Sequence, residues 1–401
     1  MVATFFALSR TAMTQTLPVF DPFSHSVQED PYPVYEALLE HAPVYRNEKR
    51  GFWALTRYED VLAGARDWQR LSSGAGVRVD DLLALAGPSV ITMDPPRHDV
   101  LRHVVRPAFQ LSAVADLEDV VEGIARSLVS TLEDGDEVDL AADFAKRLPV
   151  LTICHLMGLP AEDAAMLKGW GDDLIECTTE GGGTSRAAYE AAGALRAYFS
   201  AQLDERRRRP RQDLIGRLAA ADLDGEALSP DEEIGMCNLL FEAGNSTTTS
   251  LIGNGLLALA EHPDQRAALA GNPALLPRAI EELLRYDAPV QNQLRVSTEP
   301  LELHGVEIPA GDSVMLVLGA ANRDPRAWQD PGSLILDREP KRNLAFGEGI
   351  HHCLGAPLAR LEARVALRVL LERMPAYDVI EVERFHDVTL RMLKRLVVRR
   401  A

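Results

Sequence analysis

Apolar positions recur at helical spacing through most of the stretch from Pro96 to Arg373, which predicts a chain dominated by helices. The longest run extends from about Asp231 to Glu261, and another extends from Ala356 to about Arg373. Shorter helices are predicted after Asp30-Pro31-Tyr32-Pro33, to about His41, and over Tyr58–Asp67. Strand patterns are brief. Val44–Asn47 and Phe52–Thr56 flank the turn Glu48-Lys49-Arg50-Gly51. A second β segment spans Val290–Val317 and turns at Pro309-Ala310-Gly311-Asp312, and Asp378–Val398 reads as short strands. Residues 72–92 are irregular and rich in small residues, a kind of long loop that usually carries function. The expectation is a mainly α fold with small β-sheets. No Pro/Ser/Gly-rich linker and no repeat divides the 401 residues, so one α-rich domain is expected over residues 21–401. Residues 1–20 are expected to be a disordered extension, with Met13 as a second candidate start.

The longest helical run contains a local conflict. Leu239-Leu240-Phe241-Glu242-Ala243-Gly244-Asn245-Ser246-Thr247-Thr248-Thr249 places a glycine and three β-branched residues mid-helix. Glycine there costs about 1 kcal/mol against alanine, and threonine is stiff at χ1. The helix is expected to open at this point and free carbonyls and hydroxyls for water or a ligand. A kink against the core is the competing reading.

Composition removes several function classes. The charge of -18, from 60 acidic and 42 basic residues, argues against generic nucleic-acid binding, which needs a basic footprint. The one basic run, Arg206-Arg207-Arg208-Arg209 with Arg211, reads as a solvated helix end where cations complement the dipole. Cys154, Cys177, Cys237 and Cys353 have neither zinc-like spacing nor disulfide-framework density, which fits a reducing cytoplasm. The apolar patch Phe5-Phe6-Ala7-Leu8 is too short to span a membrane and lacks a basic n-region, so no membrane association is expected.

The candidate chemistry sits in Phe346-Gly347-Glu348-Gly349-Ile350-His351-His352-Cys353-Leu354-Gly355. A thiolate that must reach a metal needs its backbone close to a flat cofactor. Gly347, Gly349 and Gly355 permit that approach, and Phe346 can limit water at the sulfur. The helix from Ala356 would aim free N–H groups at the sulfur and stabilise negative charge there. Haem iron held by cysteine thiolate is known chemistry, the sulfur pushing electron density towards O–O cleavage. The plain alternative is a buried cysteine in a glycine-rich loop.

This segment resembles the haem-binding loop of the cytochrome P450 family, Phe-x-x-Gly-x-x-x-Cys-x-Gly, and meets every fixed position. The resemblance runs from about Asp21 to the C-terminus and is strongest to soluble bacterial members. It implies the cytochrome P450 fold and haem b (iron protoporphyrin IX), with Cys353 as iron ligand and Phe346 and Gly347 beside the cofactor. His98 and Arg102 in Asp94-Pro95-Pro96-Arg97-His98-Asp99-Val100-Leu101-Arg102, with Arg295 and His351, match the family's propionate ligands. Glu282-Leu283-Leu284-Arg285 matches the Glu-x-x-Arg motif, whose third partner would be Arg338, a structural set that holds the cysteine loop.

Thr247 matches the alcohol of the oxygen-binding helix, while Ser246 stands where that helix carries an acid. Glu242, about 140° around the helix from Thr247, is expected to be a poor substitute. By analogy the substrate pocket would draw on Val77, Leu82, Leu83 and Leu85, on Leu240 and Ala243, on Val290, Gln291, Asn292 and Gln293, and on Val388 and Thr389. The implied activity is a monooxygenase that inserts one oxygen atom from O2 into a small organic substrate by hydroxylation or epoxidation. Electrons would come from ferredoxin and an NAD(P)H-dependent ferredoxin reductase, steered by Lys341, Arg342, Arg360 and Arg364. The alternatives are a peroxide-driven or atypical haem-thiolate enzyme, raised by Ser246, and a non-catalytic haem or ligand-binding protein.

Overall fold

The structure is a computed structural model that describes residues 17–80, 85–132, 137–176, 184–223 and 226–400. Its axis is the helix Pro230–Glu261. Ser229 and Glu232 form a reciprocal capping box, Pro230 sits in the first turn, and Asp231, Glu232 and Glu233 complement the positive helix end. Most of this helix is buried, as befits one that is apolar around much of its circumference. Arg147–Met157, Arg186–Arg208, Leu276–Tyr286 and Ala356–Arg373 pack against it. The last of these spans the residues that its apolar pattern predicts.

The expected opening at Gly244 is corrected: the helix is continuous through Thr249. Ser246 Oγ and Thr247 Oγ1 donate back to the carbonyls of Glu242 and Ala243, at 2.5 and 2.7 Å, which satisfies the hydroxyls without breaking the ladder. Packing explains the glycine. A Cβ on Gly244 would lie 2.8 Å from Ile153 Cδ1, so glycine lets the central helix approach Arg147–Met157.

The larger sheet has the order Val44–Asn47, Phe52–Leu55, Ser313–Leu316, Gln293–Ser297, Leu71–Ser72. Ser313–Leu316 runs parallel to Phe52–Leu55 and antiparallel to Gln293–Ser297, and its register sets Arg295 opposite Val314. Tyr377–Arg384, Leu393–Arg400 and Glu137–Asp139 form a second sheet. A single bridge, Val290 to Leu390, brings the C-terminal turn beside the first sheet's entry. No helix among the described residues is long and apolar enough to cross a membrane.

Phe20 is buried against Tyr35, Tyr45 and Phe52 and its carbonyl accepts from Asn47. One expectation about the surface changes: Arg206 is not a solvated helix end. It is buried, donating to Asp213 (3.0 Å), to Gln202 Oε1 (2.5 Å) and to the Gly158 carbonyl (2.6 Å), so it joins three segments.

Candidate active site

The cysteine loop is shaped by its glycines and by the strand-free segment before it. Gly347 N–H donates to Leu344 O and Cys353 N–H to Phe346 O, both at 2.9 Å, folding the loop onto itself. Gly349 adopts φ +70°, and a Cβ there would meet Ala65 O at 2.6 Å, so both backbone conformation and space require glycine. The helix Ala356–Arg373 starts three residues after Cys353, and the N–H groups of Gly355 and Ala356 point at the sulfur. Cys353 is exposed, and it lines an internal cavity. Burial raises the pKa of the free thiol, and the two N–H groups, Arg102 and Arg360 oppose the rise. The Gly355 and Ala356 N–H groups, Arg102 and Arg360 are the groups that would stabilise a thiolate once a cation sits at the sulfur.

Behind the loop, Glu282, Arg285 and Arg338 meet. Arg285 donates twice to Glu282 at 2.7 Å, and Arg338 Nε donates to the same carboxylate at 3.0 and 3.1 Å. Arg285 also donates to the carbonyls of Asn322 (3.1 Å), Pro331 (2.7 Å) and Ser333 (2.9 Å). Asn322 Oδ1 in turn accepts from Leu344 N at 2.7 Å, so the network reaches the residue whose carbonyl accepts from Gly347 of the cysteine loop.

At the cavity edge His98, Arg102, Arg295 and His351 come together. The two imidazoles pack edge to face at 4.8 Å, and Nε2 of each is buried without a partner. Arg102 Nη2 donates to His352 O at 2.7 Å. Arg295 is buried and, among the described residues, has no carboxylate bonded to it; it donates to Leu294 O and Gln293 Oε1, and desolvation pulls its pKa down to about 10. Burial, then Arg295, His98 and Arg102, push His351 down to about 3. Unpartnered buried nitrogens beside desolvated guanidiniums call for an anionic ligand.

The cavity, about 340 Å³, lies between Cys353 and the central helix. Leu240, Ala243, Ser246 and Thr247 form its roof, and Val77, Val290, Gln293 and Thr389 stand at its sides. Ala243 is exposed although mid-helix, and its exposure is to this space. Gln291, Asn292 and Val388 do not line it. The Gln291 amide donates to Ala288 O at 2.7 Å and Asn292 to Val388 O at 2.8 Å, so backbone carbonyls take the donors expected to face substrate. Leu85 also stands outside the lining, and Leu82 and Leu83 fall outside the described residues.

The sequence reading undervalued other wall residues. Glu242 was weighed against Thr247, yet it is four residues from Ser246, about 40° around the helix, and it lines the cavity. Leu174, Ile175 and Leu195 add apolar wall from helices that carry no motif. Arg78 and Asp387 form an ion pair at 2.8 Å, joined by residues more than 300 positions apart, a contact no local pattern encodes. The basic face beside the cysteine loop is also more balanced than its sequence implies. Arg342 pairs with Glu348, Arg360 with Glu281 and Arg364 with Glu118, while Lys341 donates to Ala327 O.

Comparison with known proteins agrees with this geometry. The family description Cytochrome P450 matches residues 183–375. The chain is 40% identical over 365 residues to the vitamin D(3) 25-hydroxylase of Pseudonocardia autotrophica, covering 88% of this chain and 89% of that one. It is 37% identical over 406 residues to the cytochrome P450 monooxygenase PikC of Streptomyces venezuelae, covering 96% and 95%. Among solved structures, the cytochrome P450 PksS of the bacillaene polyketide synthase of Bacillus subtilis 168 superposes with a TM-score of 0.87. The two are 33% identical, and the match covers 96% of this chain and 100% of that one. Fold and site define an oxidoreductase of the monooxygenase class. The chain belongs to the cytochrome P450 family.

Proposed function

We propose that this protein is a haem-thiolate monooxygenase that inserts one atom of O2 into a small organic substrate by hydroxylation or epoxidation. Its cofactor would be haem b, which supplies oxygen activation and one-electron chemistry when bound. The observation that carries the reading is Cys353, its sulfur open to the cavity and faced by the N–H groups of Gly355 and Ala356. The residues present fit the cofactor's two ends. Cys353 would hold the iron, and His98, Arg102, Arg295 and His351 would bind two propionates, which gives the unpartnered Nε2 atoms their acceptors. Val77, Leu240, Ala243, Val290 and Thr389 would orient an apolar substrate and exclude water.

Thr247 and Ser246 would manage protons at the roof. Both hydroxyls donate to helix carbonyls, so their oxygens remain free to accept from water or substrate. The name of the hydroxylase relative supports C–H hydroxylation of a hydrophobic molecule. Electrons are assigned to a ferredoxin and its NAD(P)H-dependent reductase, which Lys341, Arg342, Arg360 and Arg364 beside the cysteine loop would steer. Peroxide as oxygen source is the second reading. Ser246 favours it, since a serine cannot hold a charge near neutral pH. The test is incubation with labelled O2, ferredoxin, reductase and NAD(P)H, against labelled peroxide alone. One labelled atom from O2 in the product, only with reductant present, supports the first reading; label only from peroxide selects the second.

A further inference from the structure

Two walls of the cavity come from opposite ends of the chain, and one buried ion pair joins them. Arg78 follows Val77 in the loop that leads away from the strand Leu71–Ser72, and Asp387 opens the turn that carries Thr389 and Leu390. All five residues line the cavity. The Arg78 guanidinium meets Asp387 with two donors, Nη1 to Oδ1 at 3.3 Å and Nη2 to Oδ2 at 2.8 Å. It also donates to Asp80, Nε to Oδ1 at 2.8 Å and Nη2 to Oδ2 at 2.7 Å. The side chains of Arg78, Asp80 and Asp387 are 8%, 3% and 0% exposed. Burial opposes the guanidinium charge, but Asp387 and Asp80 outweigh it and hold the pKa well above its ordinary value.

Asp387 also shapes its own turn. Its Oδ1 accepts from the Thr389 N–H at 2.7 Å and from the Leu390 N–H at 2.5 Å. The carboxylate that receives Arg78 is therefore the one that presents Thr389 and Leu390 to the cavity. Each partner is tied to neighbouring backbone on its other side. Val77 O accepts from Leu294 N, and Thr389 O accepts from Gln291 N, both at 2.8 Å. Leu390 is bridged to Val290. A buried ion pair is weak evidence for stability, because an apolar pair of the same volume serves as well. What a guanidinium–carboxylate fork adds is a set distance and angle. Here that fixed geometry lies between two walls of the chamber.

Resting on the monooxygenase reading of the cavity, we propose that Arg78 and Asp387 are positioning residues for substrate selectivity, the fork fixing the spacing between Val77 on one wall and Thr389 and Leu390 on the other. The pair sets how closely the walls grip the apolar part of a substrate. It acts through the residues it holds, so neither member is a catalytic residue.

The test uses the holoenzyme and two iron-ligating probes, imidazole and 1-octylimidazole. Imidazole reports the iron alone, and the octyl chain adds contact with the walls. Dissociation constants are read from the shift of the ferric Soret band. Arg78→Met, which keeps the apolar stem and removes the fork, should weaken 1-octylimidazole relative to imidazole by about tenfold, the contact of roughly two methylenes. Arg78→Lys keeps the charge without the fork and should lose part of the ratio. Arg78→Met/Asp387→Asn removes the unpaired carboxylate and keeps an acceptor for the two N–H groups, and its ratio should stay low. An unchanged ratio in Arg78→Met, or both probes weakened equally, overturns the proposal and leaves the pair a purely structural role. Recovery of the ratio in the double variant also overturns it, since the effect then belongs to an unpaired buried charge. Hydrogen exchange in the unaltered holoenzyme keeps the proposal testable if the variants fail to fold. On binding 1-octylimidazole the amides of Val77–Asp80 and of Asp387–Leu390 should slow together; slowing of one segment alone, or of neither, overturns the clamp. The thiolate band of the reduced carbonyl complex separates the two readings: with the band intact, these failures sink the clamp and leave the monooxygenase reading standing.

Discussion

Replacing Glu282 with glutamine should cost this protein a large part of its stability. The exchange keeps shape and removes one charge. Glu282 is 3% exposed and accepts from three groups: Arg285 in a bidentate pair, Arg338, and the Ile335 N–H at 2.9 Å. In Glu282→Gln two guanidiniums lose their counter-charge, and the new amide presents donors to donors. Arg285 is 1% exposed and has no water to turn to. Breaking such a buried pair costs about 3–5 kcal/mol, whereas the same pair at the surface contributes about 0–1 kcal/mol. Against a total of about 5–15 kcal/mol the loss is substantial. Because Arg285 also holds Asn322, which holds Leu344, the cysteine loop should loosen and haem retention should fall in parallel. Urea unfolding followed by far-ultraviolet circular dichroism measures the first effect, with the midpoint falling at constant slope. Haem content per chain measures the second. A loss below about 1 kcal/mol with full haem content would refute the argument that this network is buried, charge-compensated and coupled to the loop.

Other expectations are sharper in kind than in size. Gly349→Ala places a Cβ 2.6 Å from Ala65 O at φ +70°, so haem content should drop while distant helices keep their circular dichroism; full haem loading would contradict the required glycine. Thr247→Ala should divert reducing equivalents to peroxide. Ser246→Asp should raise product formed per NAD(P)H or leave it unchanged, and a sharp fall with normal haem content would make the serine itself a specific part of the mechanism. Glu242 has a folded pKa raised to about 7 over an ordinary 4.5, so its contribution is fully present below pH 4.5 and is lost as pH rises through 7. Glu242→Gln should therefore gain stability at pH 8 relative to pH 4, by roughly 3 kcal/mol at most. An equal effect at both pH values would show that the carboxyl is not desolvated.

The parts of this protein readable in its sequence are those encoded locally. The cysteine loop needs glycine at special backbone angles, and the helix after it needs an apolar stripe, so both stand in consecutive residues. Glu282 and Arg285 share a turn, and the position of Arg338 follows from its place before the loop. The helix at Gly244 was misjudged because propensity is local while its reason is not: Ile153, ninety-one residues earlier, occupies the space a side chain would need. Likewise Arg206 reads as one of four surface arginines until Asp213, Gln202 and Gly158 close around it. Gln291 and Asn292 look like substrate contacts in a list of polar residues. In the fold they complete the backbone hydrogen bonding of a turn, with the Ala288 and Val388 carbonyls. Glu242 sits in plain view, but whether a helical carboxylate meets solvent, a cation or a cavity depends on the helix laid over it.

The central claim is that Cys353 is the thiolate ligand of a haem held between the cysteine loop and the central helix. Its direct test is the absorption spectrum of the dithionite-reduced carbonyl complex, in the unaltered protein and in Cys353→Ser at equal haem loading. The account predicts the strongly red-shifted Soret band of a thiolate–iron–carbonyl complex in the first and its loss in the second. A red-shifted band that persists in Cys353→Ser would assign the ligand to another cysteine and contradict the account.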